Sequence, residues 1–408
     1  MDKRFILSPT ERCPITVLDS VPFVRLPLNG QVALKHIKKR SRIAKGTLLS
    51  VNSSSERGDL HAPFDAVVKE VTSTFIEMEY APLTPSSGNE AAGQASAGEA
   101  TGAKDAETIP DPVAPVSLDG LETKALHAAL KSLGISTENF TKPCEIFIIN
   151  GLNPEPGMRY TQELLDEHMP VLEAGFAILR RLISPQRFIL ALPEGSKARL
   201  EGAAPFHVKP VYPISLRKPL VRAITGKERE EHVGFVRLHE LFKLGLVAES
   251  GLPLTHTVLT ALGKNYIAPL GTTLETFFEL AGILHEEGDS VVLGGAMRGH
   301  AMSSLHRGIG KNDEAVQLFK KNSMPKLEDN PCIGCGACVD ACPVRLRPNM
   351  LSRYAEFRQY EGCRKEHLEI CIECGMCGYV CPACRPMQQY FRMAKFNLGM
   401  KSRQNVAG

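Results

Sequence analysis

The chain has 408 residues, 43% hydrophobic and 23% charged, with a formal net charge of +3. That composition is ordinary for a globular protein, the length suggests roughly two to four domains, and the charge is too small to point to nucleic acid. No run of about 18 apolar residues is present to span a bilayer.

Residues 1–82 read as short strands and turns and are expected to form one domain. Met1 to Arg4 and the apolar stretch broken at Ser8-Pro9 lack the apolar core and cleavage site of a secretory signal. A chain kept in the cytoplasm is expected, where disulfides are disfavoured and thiolates are free for metal. Pro22 to Pro27, Lys45 to Val51 and Ala66 to Val71 are β-type runs, punctuated by Asn29-Gly30 and by a turn from Ser53 to Asp59. The pattern is similar to a barrel-sandwich domain of the biotinyl/lipoyl type. The turn that would carry the modified lysine reads Phe64-Asp65-Ala66, so a structural or docking role is expected. The basic run Lys35 to Arg42 is read as a solvated surface.

Residues 83–117 are dominated by Ala, Gly, Ser, Glu, Thr and Pro, and are expected to be a disordered linker. Residues 118–250 alternate helix and strand, the signature of an α/β domain. Leu121 to Leu133 has helical spacing, with Gly134 at its end. Glu145 to Asn150 and Arg187 to Leu192 are continuous apolar strands, as in a parallel sheet covered on both faces. Thr161 to Leu182 and Glu194 to Gly202 are expected to be helices. Residues 251–317 hold a hairpin (Thr257 to Gly263, Asn265 to Pro269), a helix from Thr273 to Leu284, and a strand running into the Gly-rich turn Gly294 to Gly299. This order fits a β-grasp module. Residues 318–395 form the cysteine-rich domain, helical at Leu351 to Tyr360, and 396–408 a tail. The fold class expected is therefore multidomain α+β.

Eight of the twelve cysteines fall in two copies of one pattern, Cys332-x2-Cys335-x2-Cys338-x3-Cys342-Pro343 and Cys371-x2-Cys374-x2-Cys377-x3-Cys381-Pro382. This is the spacing that binds a pair of [4Fe–4S] clusters. Zinc sites use two separated cysteine pairs and fit it poorly. Gly334, Gly336, Ala337, Gly375 and Gly378 let backbone amides approach the sulfurs. In two-cluster ferredoxins the cysteine before proline ligates the other cluster. Cys332, Cys335, Cys338 and Cys381 are therefore assigned to one cluster, and Cys371, Cys374, Cys377 and Cys342 to the second. Cys384, Cys363, Cys13 and Cys144 are read as packing residues. No GxGxxG follows a strand, and no GxxxxGK[ST] is present.

This order of parts resembles the RnfC-like subunit of the Rnf-type electron-transport complex. The resemblance rests on His61-Ala62-Pro63, Ile149-Asn150-Gly151 through Glu155-Pro156, Gly251 to Leu254, Gly271-Thr272, Gly294 to Gly299, and both cysteine motifs through Arg385-Pro386. It implies an α/β domain resembling the flavin subunit of respiratory complex I and a β-grasp module of the type called SLBB. It also implies a peripheral place on the cytoplasmic face of the bacterial inner membrane. Partners would be the other subunits of an ion-translocating complex, with a soluble carrier such as ferredoxin.

Members of that family bind FMN and NADH through a GxGGAGFP-type loop. The corresponding interval here, Gly134 to Pro143, has one glycine, and the later turn Tyr212 to Lys218 has none. A nucleotide phosphate needs several backbone N–H groups at close range. FMN and NADH are therefore not expected, no catalytic residue is assigned, and the chain reads as a relay. Two other readings predict different chemistry. A flavin-dependent NADH dehydrogenase subunit would bind flavin. A scaffold with structural clusters would show no reversible reduction.

Overall fold

The computed structural model describes residue 7 and residues 12–54, 56–82, 113–227, 231–323 and 330–400. The stretch read as a linker lies outside them except for 113–117, as do Met1 to Arg4 and most of the tail. The architecture is mixed α/β, built among the described residues on four sheets, with a helical region toward the C-terminus.

Two small antiparallel sheets make the first unit. One orders Phe23–Pro27, Phe75–Tyr80, Ala66–Val71 and Arg42–Ile43; the other orders Val32–Ala33, Leu48–Val51 and Leu60–His61. Alternate residues point inward, as the two-residue period of a strand requires. Val24, Leu26, Leu49, Val68, Ile76 and Met78 fill the space between. In the basic run only Ile37 is buried; Lys35, Lys38, Lys39 and Arg40 are exposed.

The second unit is a parallel sheet in the order Ala203–Val208, Arg187–Pro193, Ile146–Asn150, Val233–Arg237. Phe147 and Ile149 face one apolar cluster and Ile148 the other, so both faces are covered and the strand reads as an unbroken apolar run. Helices Met169–Leu182 and Leu238–Ser250 pack on one face. They approach so closely at Gly175 and Gly245 that a Cβ at Gly245 would overlap the carbonyl of Val171.

Two expected helices differ. Thr161 to Leu182 is two helices, Tyr160–Glu167 and Met169–Leu182, because Pro170 occupies the first turn of the second and cannot donate back across the junction. Glu194 to Gly202 is not helical. Gly195 takes φ +88° and Gly202 φ +91°, and the segment turns directly into the edge strand Ala203–Val208.

The third sheet has six strands in the order Ile15–Val17, Lys264–Pro269, His256–Ala261, Ala315–Phe319, Ser290–Leu293, His300–Met302. Helix Leu274–Ala281 covers it, with Phe277 and Phe278 buried among Leu259, Tyr266 and Val316. Ile15–Val17 comes from the opposite end of the chain and pairs in parallel with Lys264–Pro269. Residues 330–400 carry helices Ala337–Asp340, Pro348–Glu356, Tyr360–Lys365, Met376–Tyr379 and Met387–Asn397, around a core that includes Leu351, Ala355, Leu368, Met387 and Phe391. Among the described residues no helix is long and apolar enough to cross a membrane.

Candidate metal centre

The two cysteine motifs repeat 39 residues apart and fold alike. Each runs through a loop into a short helix, Ala337–Asp340 or Met376–Tyr379, and then into a longer one, Pro348–Glu356 or Met387–Asn397. Gly336 and Gly375 stand just before the short helices at φ +77° and +79°, a conformation that glycine adopts without steric cost.

The fold gathers the cysteines around two cavities. Cys332, Cys335, Cys338 and Cys381 line one. Cys342, Cys371, Cys374 and Cys377 line the other. Each cavity thus takes three cysteines from one motif and the proline-preceding cysteine of the other. Among the described residues no three of His, Cys, Asp and Glu are grouped so as to hold a single metal ion. The sulfurs instead ring a space, as four ligands of a cubane must.

Backbone N–H groups reach these sulfurs. Leu346 donates to Cys342 Sγ at 3.3 Å and Glu373 to Cys371 Sγ at 3.5 Å. Cys338, Cys374 and Cys377 accept from Asn349, Met376 and Gly378. Such N–H···S bonds favour the thiolate and its metal. Burial acts in the opposite sense on the bare thiols. It pushes Cys374 up to about 12 and raises Cys338, Cys371 and Cys377, with neighbouring cysteines adding repulsion. A cationic iron centre relieves both penalties at once. The donor set, its N–H bonds and the enclosed space fit a [4Fe–4S] cluster in each cavity.

The two cavities differ in setting. In the first motif Cys335 is exposed, and Ile333 is 67% exposed at the tip of its loop. In the second, every residue from Cys371 to Cys377 is buried. That loop is covered by the other units. Tyr212 Oη donates to the carbonyl of Cys374 at 2.8 Å, and Lys218 Nζ to that of Ile370 at 3.3 Å. Gln388 Nε2 bridges the carbonyls of Met297 and Glu373, at 2.9 Å each. The Gly-rich turn that supplies Met297 is pinned from behind by Glu155. This buried carboxylate accepts from the N–H groups of Met297 (2.8 Å) and Arg298 (3.1 Å). Gly295 has no room for a Cβ against it. Burial raises the Glu155 carboxyl above its ordinary range, while Arg298 and the two N–H groups oppose the rise.

The remaining cysteines stand apart from both cavities. Cys363 is buried in the core, with Sγ donating to the Leu351 carbonyl at 3.5 Å. Cys384 sits at φ +49° just beyond the second motif and lines neither cavity. Cys13 Sγ donates to the carbonyl of Gly263 at 3.1 Å, and Cys144 lies beside Gly234.

The interval Gly134 to Pro143 is packed onto the first unit. Four of its N–H groups donate to main-chain carbonyls: Gly134 to Lys131, Ile135 to Leu130, Thr137 to Glu56 and Phe140 to Thr137. Thr137 and Phe140 are buried. In the Tyr212 to Lys218 turn, the N–H of Ile214 donates to the Val211 carbonyl and that of Leu216 to the Pro213 carbonyl.

A family model described as a 4Fe-4S dicluster domain matches residues 324–382. The C subunit of the proton-translocating ferredoxin:NAD(+) oxidoreductase complex of Clostridium ljungdahlii is 29% identical over 253 residues, covering 55% of this chain and 54% of that protein. The C subunit of the ion-translocating oxidoreductase complex of Buchnera aphidicola is 27% identical over 272 residues, 61% of this chain and 58% of that one. Its counterpart in Yersinia pestis is 31% identical over 272 residues, 61% and 44%. The chain spans about half the length of the curated relatives it matches. Among solved structures, NAD+-reducing [NiFe]-hydrogenase in the H2-reduced state aligns with a TM-score of 0.41 and 14% identity, over 66% of this chain and 60% of that chain. The chain is thus a homologue of proteins named as the C subunit of ion-translocating oxidoreductase complexes, and it carries a 4Fe-4S dicluster domain.

Proposed function

We propose that this chain is an electron-relay subunit of an Rnf-like, ion-translocating membrane complex. In this reading it passes single electrons through two [4Fe–4S] clusters and has no FMN or NADH site of its own. Cys332, Cys335, Cys338 and Cys381 hold one cluster; Cys371, Cys374, Cys377 and Cys342 hold the other. The observation that carries the reading is the gathering of eight cysteines around two cavities, with the fourth ligand exchanged between motifs. When bound, such clusters supply one-electron transfer, which asks no acid or base of the protein.

The chain's own residues do the rest. N–H groups of Leu346, Asn349, Glu373, Met376 and Gly378 steady the thiolates. The other units shield the second motif from water. Tyr212, Lys218 and Gln388 fix its loop in place by its carbonyls.

We read residues 1–82 as a barrel-sandwich docking domain, 118–250 as an α/β domain related to the flavin subunit of complex I, and 251–317 as a β-grasp module. Residues 318–395 are the two-cluster domain. Other subunits of the complex are the partners, on the cytoplasmic face of the membrane, with a soluble carrier such as ferredoxin supplying or receiving electrons. What supports the reading without flavin is the single glycine of Gly134 to Pro143 and the bonds that the N–H groups of Gly134, Ile135, Thr137 and Phe140 make to main-chain carbonyls. Anaerobic reconstitution followed by cofactor extraction tests it. Stoichiometric FMN, or cluster reduction by NADH alone, would favour the dehydrogenase reading instead.

A further inference from the structure

Two of the most buried charges among the described residues, Glu373 and Lys395, lie beside the second motif, where the two halves of the repeat stop matching. At the 39-residue offset, Gly334 corresponds to Glu373 and Glu356 to Lys395. Gly334 and Glu373 share a left-handed backbone, φ +71° and +54°. Glycine takes this conformation freely, whereas a side chain there is strained. At Gly334 a Cβ would meet nothing within 4 Å. At 373 the glutamate side chain turns inward, and the residue is only 1% exposed.

Its carboxylate meets Lys395, also 1% exposed, at 2.6 Å. Lys395 Nζ donates in addition to the main-chain carbonyl of Cys371 at 2.8 Å. Arg392 Nε stands 3.5 Å from the second carboxylate oxygen. In the first half the partner of Glu356 is Arg385, which also reaches the carbonyl of Asn330. The second motif has therefore acquired a strained, buried acid and a buried lysine. The lysine is aimed at the peptide of a cysteine, in a position where the first half carries an acid.

We propose that Lys395, held in position by Glu373, sets the reduction potential of the cluster bound by Cys371, Cys374, Cys377 and Cys342 and leaves the other cluster's potential alone. The inference rests on the cluster assignment above. An ammonium fixed on a ligand's carbonyl in a low-dielectric setting stabilises an electron added at those sulfurs. The adjacent carboxylate offsets part of that field. Strain at Glu373 is consistent with a side chain placed for its charge, since a glycine would satisfy the backbone.

An EPR-monitored redox titration of the reconstituted full chain tests this, with dithionite and mediators as electron source. Lys395→Met is expected to lower one of two midpoints by about 59 mV or more, a tenfold weaker reduction for a one-electron couple, and to leave the other in place. Lys395→Arg keeps the charge and should restore most of the difference. Glu373→Gln keeps the side chain's shape but removes the opposing charge, and should raise the same midpoint. Two unmoved midpoints in Lys395→Met, or an equal shift of both, overturn the proposal. If Lys395→Met takes up no iron, Glu373→Gln decides: an upward shift of one midpoint supports the proposal and no shift overturns it. A wild-type chain with fewer than two cluster signals would instead defeat the underlying assignment.

Discussion

The phenol of Tyr212, on the turn after the edge strand Ala203–Val208, donates a 2.8 Å hydrogen bond to the main-chain carbonyl of Cys374. The donor and acceptor lie 162 residues apart, and both residues are buried. Around them Leu216, Ile372 and Met376 form an apolar cluster joining the parallel sheet's unit to the second cysteine loop. The loop's position is thereby built from outside its own motif.

Tyr212→Phe removes only the donor and leaves a buried carbonyl without it. The cost expected is about 1–3 kcal/mol. Denaturant unfolding of the reconstituted protein should show a lower midpoint at unchanged iron content. An unaltered midpoint would mean that the bond contributes nothing to docking.

The crossed assignment makes an unusual prediction for single cysteines. Cys381→Ala should remove the same EPR signal as Cys335→Ala, although Cys381 belongs to the second motif in sequence. Cys342→Ala should remove the signal lost in Cys374→Ala. The opposite pairing would mean that each motif closes on its own cluster.

Lys243 gives the fold a pH dependence. It is buried, with Nζ donating to the Lys311 carbonyl at 3.0 Å and to Asn312 Oδ1 at 3.4 Å. Burial lowers its pKa from 10.5 to about 8, despite Glu240 and Glu314 nearby. Between those two values the unfolded chain holds a proton that the folded chain has released, so stability rises with pH across that window. The span corresponds to about 3 kcal/mol. Urea unfolding followed from pH 8 to 10.5 should show this rise, and Lys243→Met should reduce it, leaving the share that Lys311, lowered by burial from 10.5 to about 7, contributes in the same sense.

At Gly245 an added methyl would overlap the Val171 carbonyl of the neighbouring helix. Gly245→Ala should therefore destabilise by about 1–3 kcal/mol through overpacking, although alanine is the better helix former. A thermal midpoint equal to or above that of the wild type would contradict this.

Signals that are local in sequence were legible. Cysteine spacing identified all eight cysteines lining the two cavities, because ligands to one centre from one turn must recur at fixed short intervals. The strand Ile146–Asn150 was legible as an apolar run because both of its faces are covered. Long-range placement was not. Nothing in Ile15–Val17 announces its pairing with Lys264–Pro269, and nothing in Tyr212 announces Cys374. Helix Met169–Leu182 starts at Met169 because of Pro170, a signal present in sequence but outweighed by the apolar spacing on either side. Nothing local in the sequence marks Lys395 as buried. The repeat offset was the one signal able to expose it, since glycine and glutamate at 334 and 356 become glutamate and lysine at 373 and 395.

The central claim is that two one-electron centres, and no flavin, constitute the redox capacity of this chain. Coulometric reduction of anaerobically reconstituted protein tests it most directly. The predicted result is uptake of about two electrons per chain, in two one-electron steps, as expected for two [4Fe–4S] clusters. Uptake of about four electrons with a flavin signal, or of about one, would contradict it.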